Sequence, residues 1–288
     1  MTSQIKTVLL LGLLSGIIIV LGGMLGGRSG VIIAFGLALV MNVGSYWYSD
    51  KMVLAMYHAR ELAPEEAPWL HQVVEELAAN AGLPKPRVCI VPEEAPNAFA
   101  TGRDPEHAVV AVTEGIMRLL SPEELRGVLA HEMGHIKNRD ILIQTIAGVL
   151  ASAIVTLANI FQFSAIFGGN RDEEGNGGNP IAALMLAMLA PLAASIIQMA
   201  ISRSREYLAD DTGAVLCGQP LALAGALYRL GQASGQFPMQ AGNPSTSQMF
   251  IVKPSFAVGG MSNLFSTHPP LEERIARLQA QAGNRFGG

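Results

Sequence analysis

Charge is scarce in this sequence. Only 15% of its 288 residues are Asp, Glu, Lys or Arg, while half are hydrophobic and the mean hydropathy is +0.35. A water-soluble domain carries roughly a quarter of its residues as charges, so the composition points to a membrane protein. A basic excess is also missing: the net charge is −4, which argues against nucleic acid as a partner. Cysteine is nearly absent. Cys89 and Cys217 lie far apart in apolar surroundings without C-x-x-C spacing, which favours two reduced, structural thiols over a disulfide. No internal repeat is found. No phosphate-binding G-x-x-x-x-G-K-[ST] loop is present either, so the chain has no ATPase of its own.

What the sequence does have is long apolar runs. Residues 7–27 and 31–48 form the first two, and residues 141–163 and 181–201 the others. Each is long enough to span a bilayer as a helix. The first is too long for a signal-peptide core, lacks a clean cleavage site and is followed at once by the second, so it reads as a membrane helix. The second ends in Tyr46-Trp47-Tyr48, an aromatic belt for the water interface. Asn42 within it reads as a helix–helix contact, and Pro191 as a kink in the fourth run. Lys6, Lys51, Arg60, Lys137, Arg139, Arg203 and Arg205 fall on one side of these runs, with Arg28 and Arg171 in the two short loops on the other. The positive side is expected to be cytosolic, with both termini.

Residues 50–140 are mixed in polarity and read as a water-exposed domain. Pro64 to Ala81 is expected to be an amphipathic helix, with Trp69, Leu70, Val73, Val74 and Leu77 on one side and Gly82 as its stop. Arg87–Val91 and Ala108–Thr113 read as strands. Asn97-Ala98-Phe99-Ala100-Thr101-Gly102 reads as an irregular or edge strand between them. After the fourth run, Ser202–Leu216 and Leu221–Leu230 read as helices. Residues 231–262 read as a long mobile segment, and Pro269-Pro270 opens a last amphipathic helix with Leu271, Ile275 and Leu278 on one stripe.

The chemistry is concentrated in His131-Glu132-Met133-Gly134-His135. Positions four apart on a helix sit about 40° apart around the axis and roughly 6 Å along it, so both imidazoles leave one face. That suits a shared tetrahedral ion at about 2.0–2.1 Å from each nitrogen, with Glu132 as general base toward the attacking water. The helical context is written just upstream: Ser121 as N-cap, Pro122 in the first turn and Glu124 closing a capping box. Two histidines leave such an ion one protein ligand short. Asp140, Glu206, Asp210 and Asp211 are candidates, along with the other histidines, and Glu206 is the most persuasive, because its helix emerges from the fourth run on the same side as the first two ligands. Asp210, one turn on, is placed to accept a ligand's ring N–H. The competing reading pairs Glu206 and Asp210 with Arg203 and Arg205 on a solvated helix, and spacing alone divides the two evenly.

Two apolar N-terminal runs, NAFATG at 97–102, HEMGHIKN at 131–138, a second apolar pair, RSREYLAD at 203–210 and THPP at 267–270 together resemble the HtpX proteases. These are membrane-bound zinc endopeptidases related to the CAAX prenyl proteases. The resemblance covers nearly the whole chain. It implies one zinc ion per chain held by His131, His135 and Glu206, Glu132 as base and Asp210 orienting a ligand. It also implies roles for Asn97 and His268 near the reacting carbonyl. His58, His71 and His107 receive none.

The expected architecture is a mainly α membrane protein: four transmembrane helices plus a zincin-like α+β catalytic domain with a small sheet. Residues 1–49 and 141–201 would be membrane hairpins, and residues 50–140 and 202–288 the two parts of the catalytic domain. The expected function is a zinc metalloendopeptidase of the bacterial cytoplasmic membrane that degrades misfolded or damaged membrane proteins. Residues 97–102 would offer a strand edge to the substrate. The alternatives are a prenyl-peptide processing protease and a non-enzymatic membrane scaffold with structural zinc.

Overall fold

The computed structural model describes residues 3–146, 203–237, 239, 249–252 and 269–286. The remainder of the third and fourth apolar runs lies outside the described residues. So do the loop at 168–179, most of the segment 231–262, and His268.

The chain opens with α1 (Ser3–Met56), which breaks at Gly26–Gly27 and folds back on itself. Gly27 has φ +54°, a backbone conformation that costs a side chain but not glycine. Asn42 Nδ2 donates to Ser15 Oγ across the hairpin at 2.7 Å, the helix–helix role expected for it. Gly26–Tyr48, 23 residues with a mean hydropathy of 1.7 over its most apolar stretch, is the one helix among the described residues long and apolar enough to cross a membrane. Most of its side chains are exposed, Ile33 at 71% and Val40 at 69%, an apolar surface of the kind that marks a membrane or protein contact.

The part that follows α1 is built on a four-stranded sheet in the order β1-β2-β4-β3, with β1 (Arg60–Glu61), β2 (Arg87–Val91), β3 (Ala98–Thr101) and β4 (Val109–Thr113). β2 and β4 are parallel; β1 and β3 lie antiparallel on the outside. Central β4 is buried along its whole length, which is why it reads as an unbroken apolar run. Val110 and Val112 face one core with α2 (Pro68–Ala81) and α4 (Pro122–Lys137). Val109 and Ala111 face a second core with Tyr57, Phe99 and Phe250. Three helices complete the domain: α5 (Arg203–Cys217), α6 (Pro220–Ala233) and α7 (Leu271–Phe286).

Three local expectations are corrected. α2 starts at Pro68, not Pro64, because the Glu66 carboxylate ties residues 60–66 into a turn by accepting from Ala63 N (2.9 Å) and Arg60 Nη1 (2.7 Å). Pro68 then takes the first-turn position, where a missing N–H costs nothing. Trp69 is 40% exposed rather than part of the buried stripe of Leu70, Val73, Val74 and Leu77. A short helix α3 (Glu114–Leu119), capped by the Thr113 side chain, follows β4 where none was expected. Cys89 and Cys217 are both buried free thiols, as expected.

Candidate metal centre

The site is assembled where α4 crosses α5. The expected start signal of α4 is present: Ser121 Oγ accepts from Glu124 N (3.3 Å), and Glu124 Oε2 accepts from Ser121 N (2.9 Å). This fixes the helix start, and with it the face on which His131 and His135 emerge. The crossing is tight because two positions lack side chains. A Cβ on Gly213 would lie 2.8 Å from the His131 backbone nitrogen, and one on Gly134 would lie 3.0 Å from the Ala209 backbone oxygen. Any side chain at Gly213 would move α5 away, and Glu206 and Asp210 ride on α5.

Ligand atoms of His131, His135 and Glu206 all lie within 4.8 Å of one another, and all three residues are buried. Glu206 Oε2 is 3.8 Å from His131 Nε2, and Glu206 Oε1 is 3.5 Å from His135 Nε2. These separations are too long for hydrogen bonds. Ligands about 2.0–2.1 Å from one tetrahedral ion sit roughly 3.3–3.4 Å apart, close to what is seen. His131 Nε2 is buried without a hydrogen-bond partner among the described residues, an arrangement that is expensive unless something else fills it. The donor set therefore fits a divalent metal.

The surroundings set the charge states. Burial drives the His131 imidazole below its usual range despite its contact with Asp210, favouring the neutral form a ligand requires. Burial pushes the Glu132 carboxyl up to about 7; nearby Glu206 adds to this, while His135 and the Ala100 backbone N–H work against it. For His135, burial opposes the charged form, but the Asp140, Glu206 and Glu132 carboxylates outweigh it and push the imidazole up to about 9. Asp210 Oδ1 lies 2.9 Å from His131 Nδ1, the orienting contact expected of it. Asp140, considered as a third ligand, instead stands behind His135, 3.6 Å from Nδ1, and meets Arg205 on its other side. Asp211 is half-exposed and pairs with Arg277 at 3.2 Å. The solvated-helix reading of α5 therefore fails at Glu206 and Asp210, which are 2% exposed.

One member of the site was not anticipated. Arg274, on α7, is fully buried. Its Nε and Nη2 grip the two Asp210 oxygens at 2.8 and 2.7 Å, and its Nη1 donates to the Ile251 carbonyl at 2.9 Å. The same Nη1 lies 3.6 Å from Glu206. Arg274 thus ties the C-terminal helix to both carboxylates that face the histidines. The sequence carried one signal: position 274 falls between Leu271 and Leu278 on the apolar stripe, where an arginine has no place unless it has a buried partner.

The segment 97–102 runs beside the site as the β3 edge. The Ala100 N–H meets Glu132. The Ala98 carbonyl accepts from Ile251 N at 3.2 Å. Asn97 is buried, its Nδ2 donating to the Val252 carbonyl (2.8 Å) and its Oδ1 accepting from Ala98 N (3.1 Å). Ala98 and Ala100 face the helices, whereas Phe99 packs into the opposite core. Residues 249–252 therefore lie along the start of this edge. His71 (at the Leu62 carbonyl), His107 (at Asp104) and His58 take no part in the site.

The model of peptidase family M48 matches residues 64–282. A protease HtpX homolog from Persephonella marina is 58% identical over 96% of this chain and 97% of its own length. Homologs from Pyrococcus furiosus (56%, covering 96% and 94%) and Syntrophobacter fumaroxidans (55%, covering 97% and 100%) bear the same name. The crystal structure of S. mikatae Ste24p superposes with a TM-score of 0.51 at 19% identity, over 96% of this chain and 65% of that one, a likeness of fold. With this family match and relatives so similar from end to end, the chain belongs to peptidase family M48 and is a metalloprotease of the HtpX type.

Proposed function

We propose that the protein is a zinc endopeptidase of the bacterial cytoplasmic membrane that cuts misfolded or damaged membrane proteins at their cytosolic face. The observation that carries this reading is the convergence of His131, His135 and Glu206 on one buried point, with Glu132 beside it. Two imidazoles and a carboxylate are the donor set of a catalytic zinc site, which keeps a fourth position open, whereas a structural site is closed by four protein ligands. When bound, zinc polarises a carbonyl and lowers the pKa of water.

The chain's own residues supply the rest. Glu132 takes the proton of the attacking water and passes it to the leaving nitrogen, a task suited to a carboxyl that titrates near neutrality. Asp210, gripped by Arg274, holds His131 with Nδ1 turned away from the metal point and Nε2 toward it. An extended substrate adds to β3 as one more strand, over residues 97–102; it displaces Ile251 from the Ala98 carbonyl to do so. His268 and Asn97 donate to the developing oxyanion, and Asn97 releases Val252 to take that role. The membrane location is supported by the Gly26–Tyr48 helix, and the cytosolic orientation by the Lys and Arg bias in the sequence.

The test is cleavage of an unfolded protein and of a prenylated peptide by detergent-purified, metal-stripped enzyme. Wild type and Glu132→Gln are compared with and without zinc. Zinc-restored cutting of the unfolded protein by wild type alone is expected. If both proteins bind zinc and neither cuts, the metal is structural; if only the prenylated peptide is cut, the substrate assignment is wrong.

A further inference from the structure

Where the apolar helix Gly26–Tyr48 meets the domain, a cavity of about 490 Å³ opens, on the side of the sheet away from α2. Trp47, Tyr48 and Lys51 line it from α1; Lys85 and Arg87 line it from the turn into β2, and Arg103 from the turn after β3. Two carboxylates, Asp50 and Glu106, share the wall with its four cations, and His107 lies beside them.

These cations are not equally engaged. Arg87 meets Asp50 at 3.1 Å and Glu61 at 3.5 Å, and Lys85 meets Glu75 at 2.8 Å. Lys51 has no ion-pair partner among the described residues and stands over the Tyr48 ring at 5.4 Å. Arg103 keeps Asp104 at 3.3 Å and stacks on Trp47 at 4.8 Å. These ion pairs are at least partly exposed, and such pairs hold weakly and exchange readily. A phosphate, with several acceptor oxygens for a planar guanidinium, is a better partner than any of them.

The position selects the source of the phosphate. Trp47 and Tyr48 are the aromatic belt at the water end of the apolar helix, the level at which lipid headgroups lie. Anionic lipids there attract juxtamembrane Lys and Arg by about 1 kcal/mol per residue. We propose that this cavity is a binding site for the phosphate headgroup of an anionic phospholipid, with Lys51 and Arg103 as its main contacts. The proposal rests on reading Gly26–Tyr48 as a membrane span. Arg103 follows directly on β3 and Gly102, so the bound headgroup anchors to the bilayer surface the same strand that meets Glu132.

The experiment uses the full chain with Trp69→Phe, which leaves Trp47 as its single tryptophan. The protein is reconstituted into phosphatidylcholine nanodiscs with increasing phosphatidylglycerol, and Trp47 fluorescence is read. A saturable response is expected, weakened about five-fold by Lys51→Gln and again by Arg103→Gln, and kept by Lys51→Arg. Arg60→Gln, an exposed cation outside the cavity, leaves it unchanged. Equal weakening by Arg60→Gln means diffuse attraction and overturns the proposal. An equal response to inorganic phosphate in pure phosphatidylcholine overturns the lipid as the source. Alkaline carbonate extraction separates the two premises. A chain that leaves the membrane refutes the span and the site together, whereas a chain that stays while Trp47 is silent refutes the site alone.

Discussion

Arg274→Met replaces a buried guanidinium by an apolar side chain that still fills the space of its stem. The wild-type group makes two hydrogen bonds to Asp210 and one to the Ile251 carbonyl, with Glu206 3.6 Å away. Removing it leaves the Asp210 carboxylate, 2% exposed, with only the His131 imidazole beside it and no compensating charge in hydrogen-bond contact. Breaking a buried pair from one side costs about 3–5 kcal/mol, because the orphaned charge stays out of water. At roughly 2–4 °C per kcal/mol for a domain of this size, Tm falls by about 6–20 °C. Arg274→Lys keeps the charge but loses the fork that grips both Asp210 oxygens, so its Tm falls between the two. The assay is thermal unfolding of the detergent-solubilised protein, with zinc titrated into each variant. Weaker zinc binding by Arg274→Met is also expected, since Asp210 no longer holds His131 in place. A variant that melts with wild type and binds zinc as tightly would refute the claim that Arg274 holds the site together.

Three further perturbations follow from the same geometry. Gly213→Ala puts a Cβ 2.8 Å from the His131 backbone nitrogen; overpacking of this kind costs about 1–3 kcal/mol, and zinc affinity drops with it, whereas Gly218→Ala, at a position with φ +72° and no neighbour in reach, destabilises without altering zinc affinity. Burial pushes the Cys89 thiol up from 9.0 to about 11. Folding therefore favours the protonated thiol, a stabilisation that is complete below pH 9 and lost as pH rises through about 11; Cys89→Ala should show a smaller alkaline loss of stability, and iodoacetamide at pH 8 should label Cys89 only after unfolding. Phe250→Ala, in the ring cluster with Tyr57 and Phe99, costs about 3–5 kcal/mol and loosens residues 249–252 from the β3 edge, which faster proteolysis within that segment would reveal.

The parts of the site legible in the sequence are those whose information is local. Ser121 and Glu124 are three residues apart, His131 and His135 four, and Glu206 and Asp210 four, so helical geometry alone relates each pair. Spacing could not bring the two helices together: the expected topology favoured Glu206 over Asp140 or Asp211, and family likeness decided that it is a ligand rather than part of a solvated face. The structure supplies the physical reason in Gly134 and Gly213, which let α5 approach the histidines. Arg274 stood out only as an arginine on the apolar stripe, and its role was missed because its partner Asp210 is 64 residues away, beyond the reach of local spacing. β1 has two residues and leaves no periodic signal. The covering of the β3 edge by Ile251 is a backbone contact across 153 positions from Ala98, and side-chain pattern does not encode it. Trp69 was misread because its large apolar ring counted toward the stripe, while its position on α2 faces outward.

The central claim is that α4 and α5 jointly hold one zinc ion through His131, His135 and Glu206. Its most direct test is the zinc content of wild type, Glu206→Gln and Glu132→Gln after dialysis against a zinc buffer. The account predicts one zinc per chain in wild type and in Glu132→Gln, and loss from Glu206→Gln. Full zinc retention by Glu206→Gln would contradict it, because the third ligand would then lie elsewhere.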